Sequence, residues 1–178
     1  MINQRKNFVK PDWLIITIYI LLAGFGIGNI LSSSISGEEI SLFQFDNLYS
    51  KQLVFFIISL LFAFLIMTIE VKFYERFASV FYLISIVILL GLFIIGKRVN
   101  GALSWYDLGG FNLQPSEFVK ITVALAISKY ISDFQTNLKK TIDQFWLFLI
   151  ILIPVVIIIL QNDTGSSIVF FCLFIVFY

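Results

Sequence analysis

Histidine is absent from this 178-residue chain, cysteine occurs once, proline three times, and only 13% of the residues are charged. Without an imidazole there is no histidine general base, no Ser-His or Cys-His nucleophile pair, no histidine-held haem and none of the usual zinc sites. The lone Cys172 lies in an apolar run, so an intrachain disulfide is impossible and cysteine says nothing of the redox compartment. A net charge of +1 offers no global field to nucleic acid, and no Lys/Arg run with interleaved aromatics offers a local one. Chemistry in this chain rests on carboxylates, lysines, arginines, hydroxyls and amides.

Apolar bulk is what the chain has in excess. Hydrophobic residues make up 60% of it, 21 of them phenylalanine, where a soluble domain carries roughly 45–50%. They come as long unbroken runs rather than stripes, which is the pattern of helices surrounded by lipid. The runs extend from Trp13 to about Ser33, Gln52 to Ile69, Phe77 to Ile95, Pro115 to Ile131, Phe145 to Leu160 and Ile168 to Tyr178. They predict an all-α polytopic transmembrane helix bundle of about five to six membrane helices, forming a single transmembrane domain over residues 1–178. Arg5, Lys6 and Lys10 precede the first run as in a signal peptide. The run nevertheless exceeds the roughly 7–15 residues of a signal core, and further spans follow, so it reads as a membrane helix. The fifth run reads as short and interrupted by Pro154, a form that frames sites in membrane proteins. The sixth is too short to cross about 30 Å of hydrocarbon and stops without a polar flank, so the chain reads as truncated.

Orientation follows the cations. Arg5, Lys6 and Lys10, then Lys72 and Arg76 in a Glu70–Arg76 turn, then Lys129, Lys139 and Lys140 in a Lys129–Asp143 loop share one side. That side is cytoplasmic by the positive-inside rule, and the amino terminus with it. The Ser34–Ser50 loop with Glu38, Glu39 and Asp46, the Gly96–Leu113 loop with Lys97 and Arg98, and the Gln161–Ser167 stretch then face outward.

Polar groups cluster on the outward side. Glu117 and Lys120 are three residues apart and share a helical face. Acids and bases near a bilayer turn toward a partner or a polar cavity, so the pair is either a packing ion pair or part of a cavity wall. Asp163 sits among Gln161, Asn162, Thr164, Ser166 and Ser167, a composition that equally suits a capped helix start. Together with Lys97 and Arg98 these residues are expected to line one outward-facing polar cavity. Trp105 and Tyr106, taken alone, read as interfacial aromatics that anchor the loop at headgroup depth. Gly24, Gly26 and Gly28 lack the strand-turn-helix setting of a nucleotide loop and read as small residues for close helix contact.

The string Gly101-Ala102-Leu103-Ser104-Trp105, then Gln114-Pro115-Ser116-Glu117-Phe118-Val119-Lys120, then Gln161-Asn162-Asp163-Thr164-Gly165-Ser166 resembles the SEDS (shape, elongation, division, sporulation) family. The Leu108-Gly109-Gly110-Phe111 stretch looks more like its RodA branch than its FtsW branch. The likeness covers essentially the whole chain, as the amino-terminal part of a fold of roughly ten membrane helices. Two departures stand out: Ser104 where the family usually has Arg, and Asn162, Thr164 and Ser166 where it usually has Pro, Leu and Thr.

The resemblance implies a multi-pass protein of the bacterial cytoplasmic (inner) membrane. It implies a peptidoglycan glycosyltransferase that polymerises lipid II at the outer face for cell elongation and shape, partnered by a class B penicillin-binding protein and the elongation machinery. Glu117, Lys120 and Asp163 take supporting cavity roles. Trp105, Lys97, Arg98, Gln114 and Ser116 are candidate substrate-binding residues, and a divalent cation on Asp163 or Glu117 is the one cofactor considered. The implied base is a later outer-loop aspartate outside this sequence. A lipid II transporter and a scaffold for the penicillin-binding protein are the rival readings.

Overall fold

The computed structural model describes residues 12–34, 48–109, 111–133 and 140–177. Arg5, Lys6, Lys10, Glu38, Glu39, Asp46, Gly110, Lys139 and Tyr178 lie outside the described residues. The chain forms two compact units, Met1–Ile69 and Glu70–Tyr178.

In the first unit α1 (Trp13–Ser34) packs on α2 (Leu48–Thr68). Asp12 caps α1, its Oδ1 accepting from the amides of Leu14 and Ile15 at 3.0 and 3.3 Å. Tyr19 stacks on Phe56 at 6.2 Å, and its hydroxyl lies 3.5 Å from that of Ser59. Both helices are apolar on every side, as suits a lipid surround.

The second unit runs α3 (Val71–Ile95), β1 (Lys97–Val99), β2 (Ala102–Asp107), β3 (Asn112–Leu113), α4 (Pro115–Asp133), α5 (Thr141–Leu160) and α6 (Thr164–Phe177). Val119, Val123 and Ile127 recur at four-residue intervals and lay one stripe of α4 against Leu89 and Leu92 of α3, Leu147, Ile151, Ile157 and Ile158 of α5, and Phe170 of α6. Trp13–Ser33, Ser50–Thr68, Val71–Ile95 and Thr141–Leu160 are long and apolar enough to cross a membrane. The remaining helices are α4, which carries Glu117, Lys120, Lys129 and Asp133, and α6, with 14 residues. The protein is a polytopic helical membrane protein.

Three features depart from the sequence expectation. Helix α3 begins at Val71, so the expected Glu70–Arg76 turn is helix, with Lys72 and Arg76 on its first turns. Lys129 likewise lies on α4, where its Nζ donates to the Arg76 carbonyl at 3.1 Å. Second, α5 is neither short nor broken: it runs from Thr141 through Pro154 to Leu160. Pro154 has no N–H for the carbonyl of Ile150, four residues earlier, and the Tyr82 hydroxyl of α3 donates to that carbonyl instead, at 3.0 Å. A neighbouring helix thus satisfies the group that proline frees, and the helix stays whole. Third, the Gly96–Leu113 loop is a three-stranded antiparallel sheet in the order β1-β2-β3. Its first hairpin turns on Asn100 and Gly101 with φ of 51° and 87°, the two positive values a type I′ turn requires. Lys97 and Asp107 pair across the sheet at 2.7 Å.

Two outcomes follow. Tyr82→Phe should lower unfolding stability by about 1 kcal/mol, and clearly less in a Pro154→Ala background, where residue 154 offers Ile150 its own N–H. A double-mutant cycle in micelles titrated with denaturing detergent measures both costs; equal costs would exclude the Ile150 carbonyl as the target. The hydrogen bond from Lys97, that from the Gly109 amide and the lysine charge together hold the Asp107 carboxyl below its ordinary range. A carboxyl so depressed favours the folded turn above its unfolded pKa, and that contribution is lost as pH falls through the folded value. A carbon-13 titration should find Asp107 below the ordinary carboxylate range, with Lys97→Met moving it up toward that range.

Candidate functional site

The site is assembled from two helix beginnings and one helix end. Helix α5 closes with its amides folded back: Asn162 N donates to Ile159 O at 2.9 Å and Asp163 N to Ile158 O at 3.2 Å. This pair of bonds is a Schellman close, and Asn162 supplies the left-handed residue it needs, with φ of 60°. The next residue, Asp163, opens α6. Its Oδ1 accepts from the Ser166 amide at 3.1 Å, the bond of an N-cap. One short turn therefore ends one helix and starts another, leaving the Asp163 side chain at the junction.

Across from it, α4 starts at Pro115, whose missing N–H costs nothing in the first helical position. Gln114 stands immediately before it. The Gln114 amide donates from Nε2 to Asp163 Oδ2 at 2.9 Å and to Ser166 Oγ at 3.2 Å. Ser116 Oγ donates to Ser166 Oγ at 3.3 Å, and Ser166 Oγ to Asp163 Oδ2 at 2.8 Å. Four polar side chains thus join the amino ends of α4 and α6, where the positive ends of both helix dipoles favour the carboxylate.

Gln161 holds this turn from behind. It is 1% exposed; its side-chain Nε2 donates to Leu89 O of α3 at 2.7 Å, and its backbone carbonyl accepts from the Leu103 amide of β2 at 2.8 Å. Sequence and site strings are thereby brought into contact: the strand carrying Ser104 and Trp105 is tied to the turn carrying Asp163.

The structure gathers some of the expected residues and leaves others apart. Gln114, Ser116 and Asp163 meet directly. Glu117 and Lys120 pair with each other, Lys120 Nζ lying 2.8 Å from Oε1 and 2.8 Å from Oε2, one turn along α4 from Gln114. Their side chains are 57% and 23% exposed respectively. Lys97 is engaged by Asp107 on the sheet, and Arg98 is exposed on β1. Trp105 is half-buried on β2 opposite Lys97. The Tyr106 hydroxyl turns inward to the Ile88 carbonyl at 2.6 Å. Ser104, standing where the family usually has Arg, is buried at 3% exposure. Among the described residues no three His, Cys, Asp or Glu side chains gather as metal ligands. Both Asp163 oxygens already accept hydrogen bonds, so these residues alone do not make a divalent-cation site. Ser166 is the member that sequence reading left without a role; its place three residues after Asp163 is the spacing of a cap to the third amide of a helix.

Comparison with known proteins agrees with this architecture. Residues 12–178 match the family described as cell cycle protein, that of FtsW, RodA and SpoVE. The probable peptidoglycan glycosyltransferase FtsW of Wigglesworthia glossinidia brevipalpis is 32% identical over 176 residues, covering 95% of this chain and 45% of that protein. Stage V sporulation protein E of Bacillus subtilis is 29% identical over 167 residues, covering 89% of this chain and 44% of that protein. Among solved structures, the rod shape determining protein RodA of Thermus thermophilus superposes with a TM-score of 0.78 at 24% identity, over 92% of this chain and 51% of that one. A chain of a peptidoglycan synthase complex that coordinates polymerization and crosslinking superposes with a TM-score of 0.77 at 24% identity, over 92% and 45%. The chain spans about half the length of the proteins it matches. With both its sequence and its fold matched from the first helix to the last, this chain belongs to the FtsW, RodA and SpoVE family, the SEDS proteins.

Proposed function

We propose that this chain supplies the amino-terminal part of a peptidoglycan glycosyltransferase that polymerises lipid II at the outer face of the bacterial cytoplasmic membrane. In this reading it serves cell elongation and shape beside a class B penicillin-binding protein. The observation that carries the proposal is the hydrogen bond from Gln114 to Asp163, which joins strings 49 residues apart in the chain. It builds a polar wall at the helix ends, where a lipid-linked sugar is presented. The names of the FtsW relatives support the reaction class, and the synthase complex among the fold neighbours supports a crosslinking partner.

The division of labour follows from occupancy. Asp163 accepts from Gln114, Ser166 Oγ and the Ser166 amide, so it is a positioning carboxylate rather than a free base. Glu117 holds Lys120 ready, and in the proposed reaction Lys120 exchanges that carboxylate for the departing diphosphate, whose growing charge it stabilises. Arg98 and Lys97 on the sheet are further cations for the same anion, and Trp105 packs on a sugar ring. The acceptor hydroxyl gives its proton to a carboxylate contributed from beyond this chain, and its oxygen attacks the donor's anomeric carbon as the diphosphate leaves. A polar cavity in a helix bundle with a broken fifth helix would suit a transporter; α5 is continuous through Pro154, which leaves only the cavity to that reading.

The test is reconstitution of the full-length protein with its partner in vesicles. Lipid II should be converted to glycan chains. Gln114→Ala removes a hydrogen bond to a charged group, about 1.5–3 kcal/mol, and should slow polymerisation roughly ten- to hundredfold. Asp163→Ala should slow it at least as much while membrane insertion stays normal. An unaltered rate in both variants removes the cluster from the mechanism; labelled lipid II crossing the vesicle without glycan formation would establish a transporter instead.

A further inference from the structure

Gly91 lies inside α3, where glycine makes a weaker helix than alanine. Its surroundings show what the missing side chain leaves room for. An alanine Cβ at this position would stand 2.5 Å from the Tyr106 hydroxyl oxygen and 3.8 Å from Cζ of the same ring; apart from the chain neighbours and the helix's own backbone, nothing else lies within 4 Å. The notch is thus filled by one atom. That hydroxyl donates to the Ile88 carbonyl, three residues earlier on α3, at 2.6 Å. A carbonyl inside a helix keeps a second lone pair after its ladder bond, so the tyrosine is bonded without breaking the helix.

What the notch holds is a strand that its own ladder places only loosely. Strand β1 has three residues and β3 two. Leu103 of β2 partners Arg98 and Trp105 partners Lys97, so Ser104 between them is the extra residue of a β-bulge. A bulge re-aims the side chains beside it, and a ladder this short does little to decide which residue is the extra one. Two contacts with the helices decide it. On one side of the bulge the Leu103 amide donates to the Gln161 backbone carbonyl at 2.8 Å; on the other, the Tyr106 hydroxyl donates to Ile88 O. A slip of one residue would turn Tyr106 away from α3. With both contacts made, Ser104 is buried at 3% exposure and Trp105 is held half-buried beside it.

We propose that Tyr106, keyed by its hydroxyl into the notch at Gly91, is the positioning residue for Trp105. It acts on the proposed reaction only through Trp105, and to that extent the inference rests on the glycosyltransferase reading; the key itself does not. The fit is one of size. Phenylalanine at 106 leaves the notch empty, and alanine at 91 expels the tyrosine. The two together are compatible, since the nearest ring atom to the new methyl then stands at 3.8 Å, an ordinary contact.

The test has two readouts on the full-length protein. In the first, Ser104→Cys in a background otherwise free of cysteine reports the seating of the strand through its rate of reaction with a polar maleimide in micelles. The buried thiol should react slowly. Gly91→Ala should speed the reaction roughly tenfold or more by opening the strand, and adding Tyr106→Phe should make it slow again. In the second, the protein with its partner and without Ser104→Cys is assayed on lipid II. Gly91→Ala should raise KM with kcat little changed, the mark of lost uniform substrate binding, and Tyr106→Phe should reverse the rise. Slow labelling in Gly91→Ala, or fast labelling in the double variant, overturns the key; fast labelling in Gly91→Ala with an unaltered KM overturns the positioning of Trp105. Absence of glycan chains from the unsubstituted protein defeats the glycosyltransferase reading, while labelling still decides the key. Should Gly91→Ala fail to insert, normal insertion of the double variant supports the key and failure of both overturns it.

Discussion

Gln161 is the residue on which the rest of the second unit depends. It lies at the end of α5, almost wholly buried, with its side-chain Nε2 on a carbonyl of α3 and its backbone carbonyl on the amide of Leu103. A buried amide left without partners costs roughly 1–3 kcal/mol, so only arrangements that keep both contacts are available to the α5–α6 turn. That turn carries Asp163, and Asp163 in turn fixes Gln114 and the first turn of α4. The sheet, α3, α4 and α6 are thus registered against one another through the residues of one turn, α3 by the Gln161 side chain, the sheet by the Gln161 backbone carbonyl and α4 by Asp163.

Why a polar group should do this follows from the solvent. In lipid, one apolar helix face is as acceptable as another, since tails are as apolar as leucine and burial gives little preference between packings. Specificity comes from groups that hydrocarbon cannot satisfy. The Ile150 carbonyl freed by Pro154 finds Tyr82, the hydroxyls of Ser85 and Thr122 meet at 2.7 Å between α3 and α4, and Lys129 finds the Arg76 carbonyl. Each contact crosses between helices. The apolar stripe of Val119, Val123 and Ile127 gives close packing, but these hydrogen bonds decide which neighbour it packs on.

The same physics explains what could be read in the sequence. The membrane helices were legible because lipid demands long apolar runs, and Glu117 with Lys120 was legible because i to i+3 spacing places both on one face. The start of α3 was not, because Lys72, Glu75 and Arg76 interrupt the run although charged side chains at an interface leave a helix intact. The sheet escaped because strands of two and three residues carry almost no periodicity, yet Asn100-Gly101 between Lys-Arg-Val and Ala-Leu-Ser-Trp-Tyr is a hairpin signal in plain sight. The contact of Gln114 with Asp163 has no local signature at all. Spacing along a chain predicts neighbours within one helix, whereas this bond depends on how two helix ends are set against each other by Gln161. On the sheet Lys97, expected to face a cavity, is held by Asp107.

Asn162 shows how a departure from a family pattern is absorbed. Proline, usual at this place in the family, fixes φ near −65°, whereas Asn162 stands at 60°. The two residues cannot share a backbone. Proline would also lack the N–H that here reaches Ile159 O. Asparagine is, after glycine, the residue that best tolerates the left-handed region, so this chain closes α5 with a full Schellman turn where a proline would have to end the helix by another route. What survives the exchange is the position of the next residue. Asp163 still follows the helix end directly, still opens α6, and still meets Gln114. The turn is free to vary in its backbone because the carboxylate is located by its partners, the Ser166 amide and hydroxyl and the Gln114 side chain, rather than by the stiffness of the residue before it.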